Sequence, residues 1–318
     1  MLEQVRLWLD YMAVRLSYCI LQAMPLELCS QVSGFLATLC VTAVPIRRKV
    51  VEENLMLAFP EWDAQRRRAV TWQMWKHLFM IVAELSHAAR YIHETNWRRH
   101  IRLARGDELC RILLDRRPTL IVSAHFGNFE VGGIFLGLLG FDTHAVARTL
   151  DNPYLARFTD GLRTAGRQHI IPKKGGYDQI LQVLATGGTM VFLADQYAGS
   201  KGCWVEFFNR PASAHKAIGL LALDKDARIV VCGCRRLPGP LQFELSVRNI
   251  FDPRTPGDCG GDIKQLTQWY TRELEQVIRT APDQYWWVHR RWKDTRKKKK
   301  AAVLAGPHTA VQKEASNL

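Results

Sequence analysis

The 318-residue chain has no Cys-x-x-Cys pair and no Cys/His grouping at metal-ligand spacing, so no metal site or thiol redox motif is expected. Its eight cysteines stand at 19, 29, 40, 110, 203, 232, 234 and 259. They read as reduced thiols of a cytoplasmic protein, since a chain this long needs no disulfide staples. Cys232 and Cys234 lie two apart in an apolar run, which puts them on one face of a strand. No Gly-x-Ser-x-Gly elbow is present, and nothing else marks a protein nucleophile. Helix-turn-helix, finger and RNA-binding patterns are missing too, as are internal repeats. No window reaches the length of about 20 clean apolar residues that a membrane span asks for. A cleavable leader is not expected either, because Asp10 and Arg15 fall where its apolar core would begin.

What the chain has in excess is positive charge: 44 Lys and Arg against 30 Asp and Glu, a formal net charge of +14. Such a surplus implies an anionic partner: a phospholipid surface, nucleic acid, or an acidic carrier or substrate. Ten Trp and thirteen Phe tilt the choice toward lipid, because Trp favours the membrane–water interface. With no nucleic-acid motif and a long apolar N-terminus that would have no role there, nucleic acid is not the expected partner. The balance of 47% hydrophobic and 23% charged residues is that of a globular protein.

From Leu16 to Ile46 the only formal charge is Glu27, and Arg15 and Arg47-Arg48 bracket the stretch. Pro25, Glu27, Gln31 and Ser33 interrupt it, which predicts two helices, 2–23 and 26–44, lying in or dipping into a membrane. A single weak span and a buried hairpin are the competing readings. Residues 50–115 read as helical, with apolar positions at three- and four-residue spacing from Trp72 to Ile92. The pattern then changes. Residues 119–124, 189–194 and 228–232 are short apolar runs rich in β-formers, and 242–250 alternates like a fourth strand. Helical stretches separate the first three, so the class is α/β with a central, mainly parallel sheet. A last helix is predicted over 263–280, with Leu266, Tyr270, Leu274, Val277 and Ile278 on one stripe. Beyond Trp292 a lysine-rich run cannot pack and reads as a disordered tail with an affinity for anionic lipid. The expected organisation is therefore an anchoring unit over 1–48, one main domain over 49–293, and a basic tail over 294–318.

The first apolar strand ends in His125-Phe126-Gly127-Asn128-Phe129-Glu130. On a continuous helix, residues five apart point about 140° away from each other, so His125 and Glu130 cannot cooperate if both are helical. They can meet if His125 closes the strand, Gly127-Asn128 makes the turn, and Glu130 sits in the first turn of a helix capped by Asn128. The C-terminal end of a strand is also where open α/β sheets hold ligands. The chemistry this suits is activation of a hydroxyl. A neutral imidazole takes the proton while a carboxylate on its other nitrogen fixes the tautomer. With no protein nucleophile in view, the attacking oxygen is assigned to the substrate.

His-x4-Glu after a buried strand resembles the His-x4-Asp/Glu motif of glycerolipid acyltransferases. The fuller pattern resembles the late acyltransferases of lipid A biosynthesis, the lauroyl and myristoyl transferases of Gram-negative bacteria. Four further blocks carry that likeness: Asn54-Leu55 with Ala58-Phe59-Pro60-Glu61, Arg148 to Pro153, Ala194-Asp195-Gln196, and Pro282 to Lys293. Thr149 stands where the family usually has Pro, and Phe129 where Trp is common. The resemblance implies transfer of a fatty acyl chain from acyl carrier protein to a hydroxyl of an anionic glycolipid, a lipid A precursor, without a cofactor or metal. It places the reaction on the cytoplasmic face of the inner membrane. His125 would be the general base and Glu130 its orienting partner. Arg163 and Asp195 match family positions implicated in activity, with Asp195 holding either the substrate or Arg163. Arg148 and Asn152 join them as substrate-binding candidates. Arg290 and Arg291 read as contacts to an anionic headgroup or carrier, while His289 between Val288 and Arg290 reads as a packing residue. Actinobacterial phosphatidylinositol-mannoside acyltransferases share the His-x4-Glu architecture, so the acceptor glycolipid stays open at this point.

Overall fold

The computed structural model describes residues 2–255 and 261–293. Four helices come first: α1 (Leu2–Ala23), α2 (Leu26–Thr42), α3 (Arg48–Ala58) and α4 (Ala64–Tyr91). Pro25, with φ −58°, separates α1 from α2, and Asp63 caps α4 by accepting from the Arg66 amide at 2.7 Å. Then β1 (Ile101–Ala104), α5 (Gly106–Leu114), β2 (Thr119–Ser123), α6 (Phe129–Leu138), β3 (Thr143–Ala147), α7 (Pro153–Ala165), β4 (Gln168–Pro172), α8 (Tyr177–Ala185) and β5 (Thr189–Leu193) follow in alternation. A hairpin of β6 (Cys203–Phe207) and β7 (Arg210–Ala214) precedes α9 (Ala217–Asp224), β8 (Arg228–Arg236), β9 (Phe243–Phe251) and α10 (Ile263–Arg279).

Among the described residues the main sheet has the order β1-β9-β8-β2-β5-β3-β4. Every pairing in it is parallel except β8 with β9. The protein is thus α/β with a mostly parallel sheet flanked by helices, as the alternation of apolar runs and helical stretches predicted. β2 lies between β5 and β8 and is covered on both faces. Leu120 and Val122 enter one core cluster with Leu266, Tyr270 and Leu274 of α10, while Ile121 faces another with Val131 and Phe135 of α6. That two-sided cover explains why β2 reads as a continuous apolar run rather than an alternating one. All five stripe residues of α10 are buried, each contributing at most about 1.5–3 kcal/mol.

Three expectations need adjustment. Residues 50–115 are not all helical, since β1 falls within them. β3, β4 and the β6–β7 hairpin were not anticipated, because their short runs mix exposed and polar positions with buried ones. At the N-terminus the two helices form where predicted, yet no helix among the described residues is long and apolar enough to cross a membrane. α1 buries none of its side chains, and Trp8, Leu9, Leu16 and Ile20 on it, with Phe35 on α2, are exposed. α1 meets the rest of the chain at α4, where the Gln22 amide donates to the Ser86 carbonyl at 3.0 Å, and at α7, where Tyr11 and Tyr18 pack against Phe158.

The seven described cysteines are free thiols; Cys259 and residues 294–318 lie outside the described residues. Cys232 and Cys234 do share one face of β8, and burial pushes both thiols up to about 12.

Candidate active site

The chain leaves β2 at Ser123 and reverses at Gly127, whose φ is +57°. A Cβ there would sit 1.8 Å from the Cys234 carbonyl oxygen, so the turn needs glycine for both its backbone angle and its close approach to β8. Asn128 then caps α6, its side-chain oxygen accepting from the Val131 amide at 3.2 Å. Glu130 falls in the first turn of α6, where a carboxylate is favoured by the helix dipole. The strand–turn–helix drawn from the sequence is therefore the one observed. Backbone bonds from Gly127 to Gln284, Asn128 to Cys234 and Trp286 to His125 brace the segment from two sides.

The carboxylate that meets His125 is Asp195, not Glu130. His125 Nδ1 lies 2.8 Å from Asp195 Oδ1, and the Asp195 side chain is almost wholly buried. Strand register explains the meeting. β2 and β5 run parallel with Thr119 opposite Thr189 and Ser123 opposite Leu193. Two residues beyond those paired ends stand His125 on one strand and Asp195 on its neighbour. Glu130 instead faces α7, where Arg163 donates to it from Nη2 at 2.8 Å and from Nε at 3.3 Å. The expected pairings are thus exchanged: Asp195 holds the histidine, and Glu130 holds the arginine.

Burial disfavours an imidazolium, but the charge and hydrogen bond of Asp195, with the charge of Glu130, outweigh it and raise the His125 pKa. Burial likewise opposes the Asp195 carboxylate, and His125 overcomes it, so Asp195 stays below its ordinary value. Tyr285, fully buried beside Asp195, is pushed far up by burial first and then by that carboxylate, to which its hydroxyl donates. With Nδ1–H committed to Asp195, Nε2 is the basic nitrogen. Its only polar neighbour among the described residues is the Gln196 amide, at a long 3.4 Å. Phe129 and Trp286 flank the ring at 5.2 and 4.8 Å between centroids. An oriented imidazole with one open nitrogen, set at the end of a central strand, has the geometry that general-base chemistry requires.

The sequence profile of bacterial lipid A biosynthesis acyltransferases matches residues 1–294. The chain belongs to that family. It is similar to the lipid A biosynthesis lauroyltransferase of Escherichia coli K12, at 24% identity over 298 residues that cover 91% of this chain and 92% of the relative. The lipid A biosynthesis palmitoleoyltransferase of the same organism matches at 25% over 253 residues, 78% of this chain and 79% of the relative. Among solved structures, the 1-acyl-sn-glycerophosphate acyltransferase of Thermotoga maritima aligns over 80% of this chain and 95% of its own, at 10% identity and a TM-score of 0.39.

In this lipid A acyltransferase the remaining candidates are scattered. Arg148 forms an exposed ion pair with Asp151 at 2.8 Å, three residues on, and nothing links it to His125. Asn152 caps α7, accepting from the Tyr154 and Leu155 amides, and its own amide donates to the Leu7 carbonyl at 2.7 Å. Its buried side chain is a cap and a tether for α1. Arg291 is not at a headgroup-facing surface but 2% exposed, donating to the Ser213 carbonyl at 2.6 Å and covering the Phe207 ring. There it supplies positive charge to the same interior as Asp195 and Tyr285. Arg290 does face solvent. With Arg47, Arg48, Lys49 and Lys293 it lines an open groove of about 730 Å³ that also contains Tyr197 and His289 and has no carboxylate in its wall. His289 accepts from the Tyr197 amide at 3.0 Å, which makes it a brace for the segment following Gln196. No group of His, Cys, Asp or Glu among the described residues is placed to hold a metal ion.

Proposed function

We propose that this acyltransferase moves a fatty acyl chain from an acyl carrier protein thioester to a hydroxyl of a lipid A precursor, with His125 as general base and Asp195 as its orienting carboxylate. The contact between His125 Nδ1 and Asp195 at 2.8 Å, with Nε2 left open, is the observation that carries the reading. Nε2 takes the hydroxyl proton as the oxygen attacks the thioester carbonyl. The carbon–sulfur bond then breaks, and the imidazolium returns the proton to the leaving thiolate. Asp195 stabilises the charged imidazole between those two events. Glu130 adds field at the ring and fixes Arg163 in a two-point fork, the geometry with which guanidinium groups also hold phosphate and carboxylate. The acid-free groove of Arg290, opening beside the Gln196-Tyr197 segment, suits an anionic group of the glycolipid or of the carrier.

The bare apolar faces of α1 and α2 support a membrane-facing role for residues 1–48, lying on the cytoplasmic face of the inner membrane. Acyl transfer from acyl carrier protein to a disaccharide lipid acceptor is the assay that tests the mechanism. His125→Ala is expected to remove nearly all transfer from a folded protein. Undiminished transfer would rule His125 out as the base.

A further inference from the structure

The turn between His125 and Glu130 is held from behind by a buried polar cluster that does not touch the open face of the site. His77 and Glu84 stand seven residues apart on α4, hence on one side of it, and are 3% and 1% exposed. Arg236, the last residue of β8, reaches both. It donates to Glu84 Oε1 at 2.5 Å and Oε2 at 2.8 Å, and its Nη1 lies 2.7 Å from His77 Nδ1. Arginine has no acceptor, so Nδ1 of His77 must accept. The His77 proton therefore sits on Nε2, which donates to the Gly127 carbonyl at 3.1 Å. Glu84 Oε2 also accepts from the Asn128 side-chain amide at 2.8 Å. Two branches from one guanidinium thus end on successive residues of the turn.

Asn128 serves both sides: its oxygen caps α6 while its nitrogen is tied to Glu84. Burial first, then the charge of Arg236, holds His77 down to about 3, so its donor and acceptor roles do not change over any working pH. A buried ion pair adds little stability over an apolar replacement of the same volume, so the cluster's worth is sought in where its hydrogen bonds end. Here they end on the Gly127 carbonyl and the Asn128 amide, the two residues of the turn.

We propose that Glu84, Arg236 and His77 are positioning residues of acyl transfer, holding Gly127-Asn128 at the one register in which His125 meets Asp195 and Glu130 meets Arg163. This rests on His125 being the base. None of the three has a hydrogen bond to His125, Asp195, Glu130 or Arg163; from the wall of a cavity of about 720 Å³ they act through the turn.

The deciding variant is Asn128→Ser, because serine caps a helix as well as asparagine does but has no amide to give Glu84. Release of the turn should lower kcat per folded molecule by at least about fivefold, as misplacement of a reacting group does. Both KM values should hold. The acid limb of the pH–rate profile should move to lower pH, because a loosened contact with Asp195 lifts the His125 pKa less. Arg236→Lys, which keeps the charge but cannot reach Glu84 and His77 together, should behave alike; if it fails to fold, Asn128→Ser decides alone. A kcat within about fivefold of wild type, or an undisplaced acid limb, overturns the proposal and leaves the cluster a fold element only. His125→Ala assayed in parallel keeps the two readings apart. If it stays active the base assignment is wrong, whereas an inactive His125→Ala beside a normal Asn128→Ser sinks only the positioning role.

Discussion

In the proposed mechanism the base must be neutral to work, so the raised pKa of His125 predicts a direct kinetic consequence. Below its folded-state pKa the imidazole is protonated and cannot accept a hydroxyl proton. Raising that pKa therefore moves the loss of activity on the acid side toward higher pH, with a midpoint for kcat/KM above the ordinary histidine value of about 6.5. Asp195→Asn removes the carboxylate charge that outweighs burial, so the midpoint should fall. The rate should also drop on the order of 10³- to 10⁴-fold, because an amide no longer selects the tautomer or stabilises the imidazolium. Glu130→Gln acts at one remove, since the side chain it holds is Arg163. Its expected loss is about 10- to 100-fold, the scale of a displaced positioning group. A Glu130→Gln loss equal to that of Asp195→Asn would reverse these assignments. Arg148→Ala should leave kcat and KM unchanged, its ion pair with Asp151 being fully on the surface.

At the scale of elements, the β2–turn–α6 unit is the part most exposed to test. Gly127→Ala puts a methyl group into the Cys234 carbonyl and a side chain at φ +57°. The left-handed backbone alone costs about 1–2 kcal/mol, and the clash adds to it. A melting point several degrees lower and a site pulled out of register should follow together, read by thermal unfolding and by transfer rate. This unit was legible in the sequence because its signals are local: an apolar run, a Gly-Asn turn, an N-cap, an acidic first turn. The identity of the carboxylate bonded to His125 was not, since spacing within one segment favours Glu130 and says nothing of a residue 70 positions away. The missing signal was register. Thr119 to Ala124 and Thr189 to Ala194 are runs of equal length, and aligned as parallel neighbours they place His125 beside Asp195. Arg148 and Asn152 are placed apart from His125 for a different reason. A capping asparagine followed by proline looks the same in sequence whether it holds a helix or a ligand, and here it holds α7 and α1. Arg291 shows the same limit, because nothing local distinguishes a buried arginine from the exposed Arg290 next to it.

For the whole molecule, the net charge of +14 and the uncovered apolar side chains of α1 and α2 act in one direction. The proposed membrane-facing role predicts two parts of binding: apolar burial in the acyl boundary is insensitive to salt, while attraction of basic residues to the surface is screened. The two parts separate experimentally. Replacing Arg48 and Lys49, both exposed and without an ion-pair partner among the described residues, removes two charges from the groove wall. At about 1 kcal/mol for each basic residue near an anionic surface, each replacement by Gln should weaken binding to anionic vesicles about fivefold at low salt. The difference from wild type should shrink at high salt and vanish on neutral vesicles. Trp8→Gln and Leu16→Gln, placed on the bare helix and neutral in charge, should instead weaken binding to neutral and anionic vesicles alike and at every ionic strength. Co-sedimentation of the full chain with the two vesicle types gives both answers. If the helix variants sediment as wild type does, α1 does not dip into the bilayer, and any membrane-facing role falls to α2 and the basic surface.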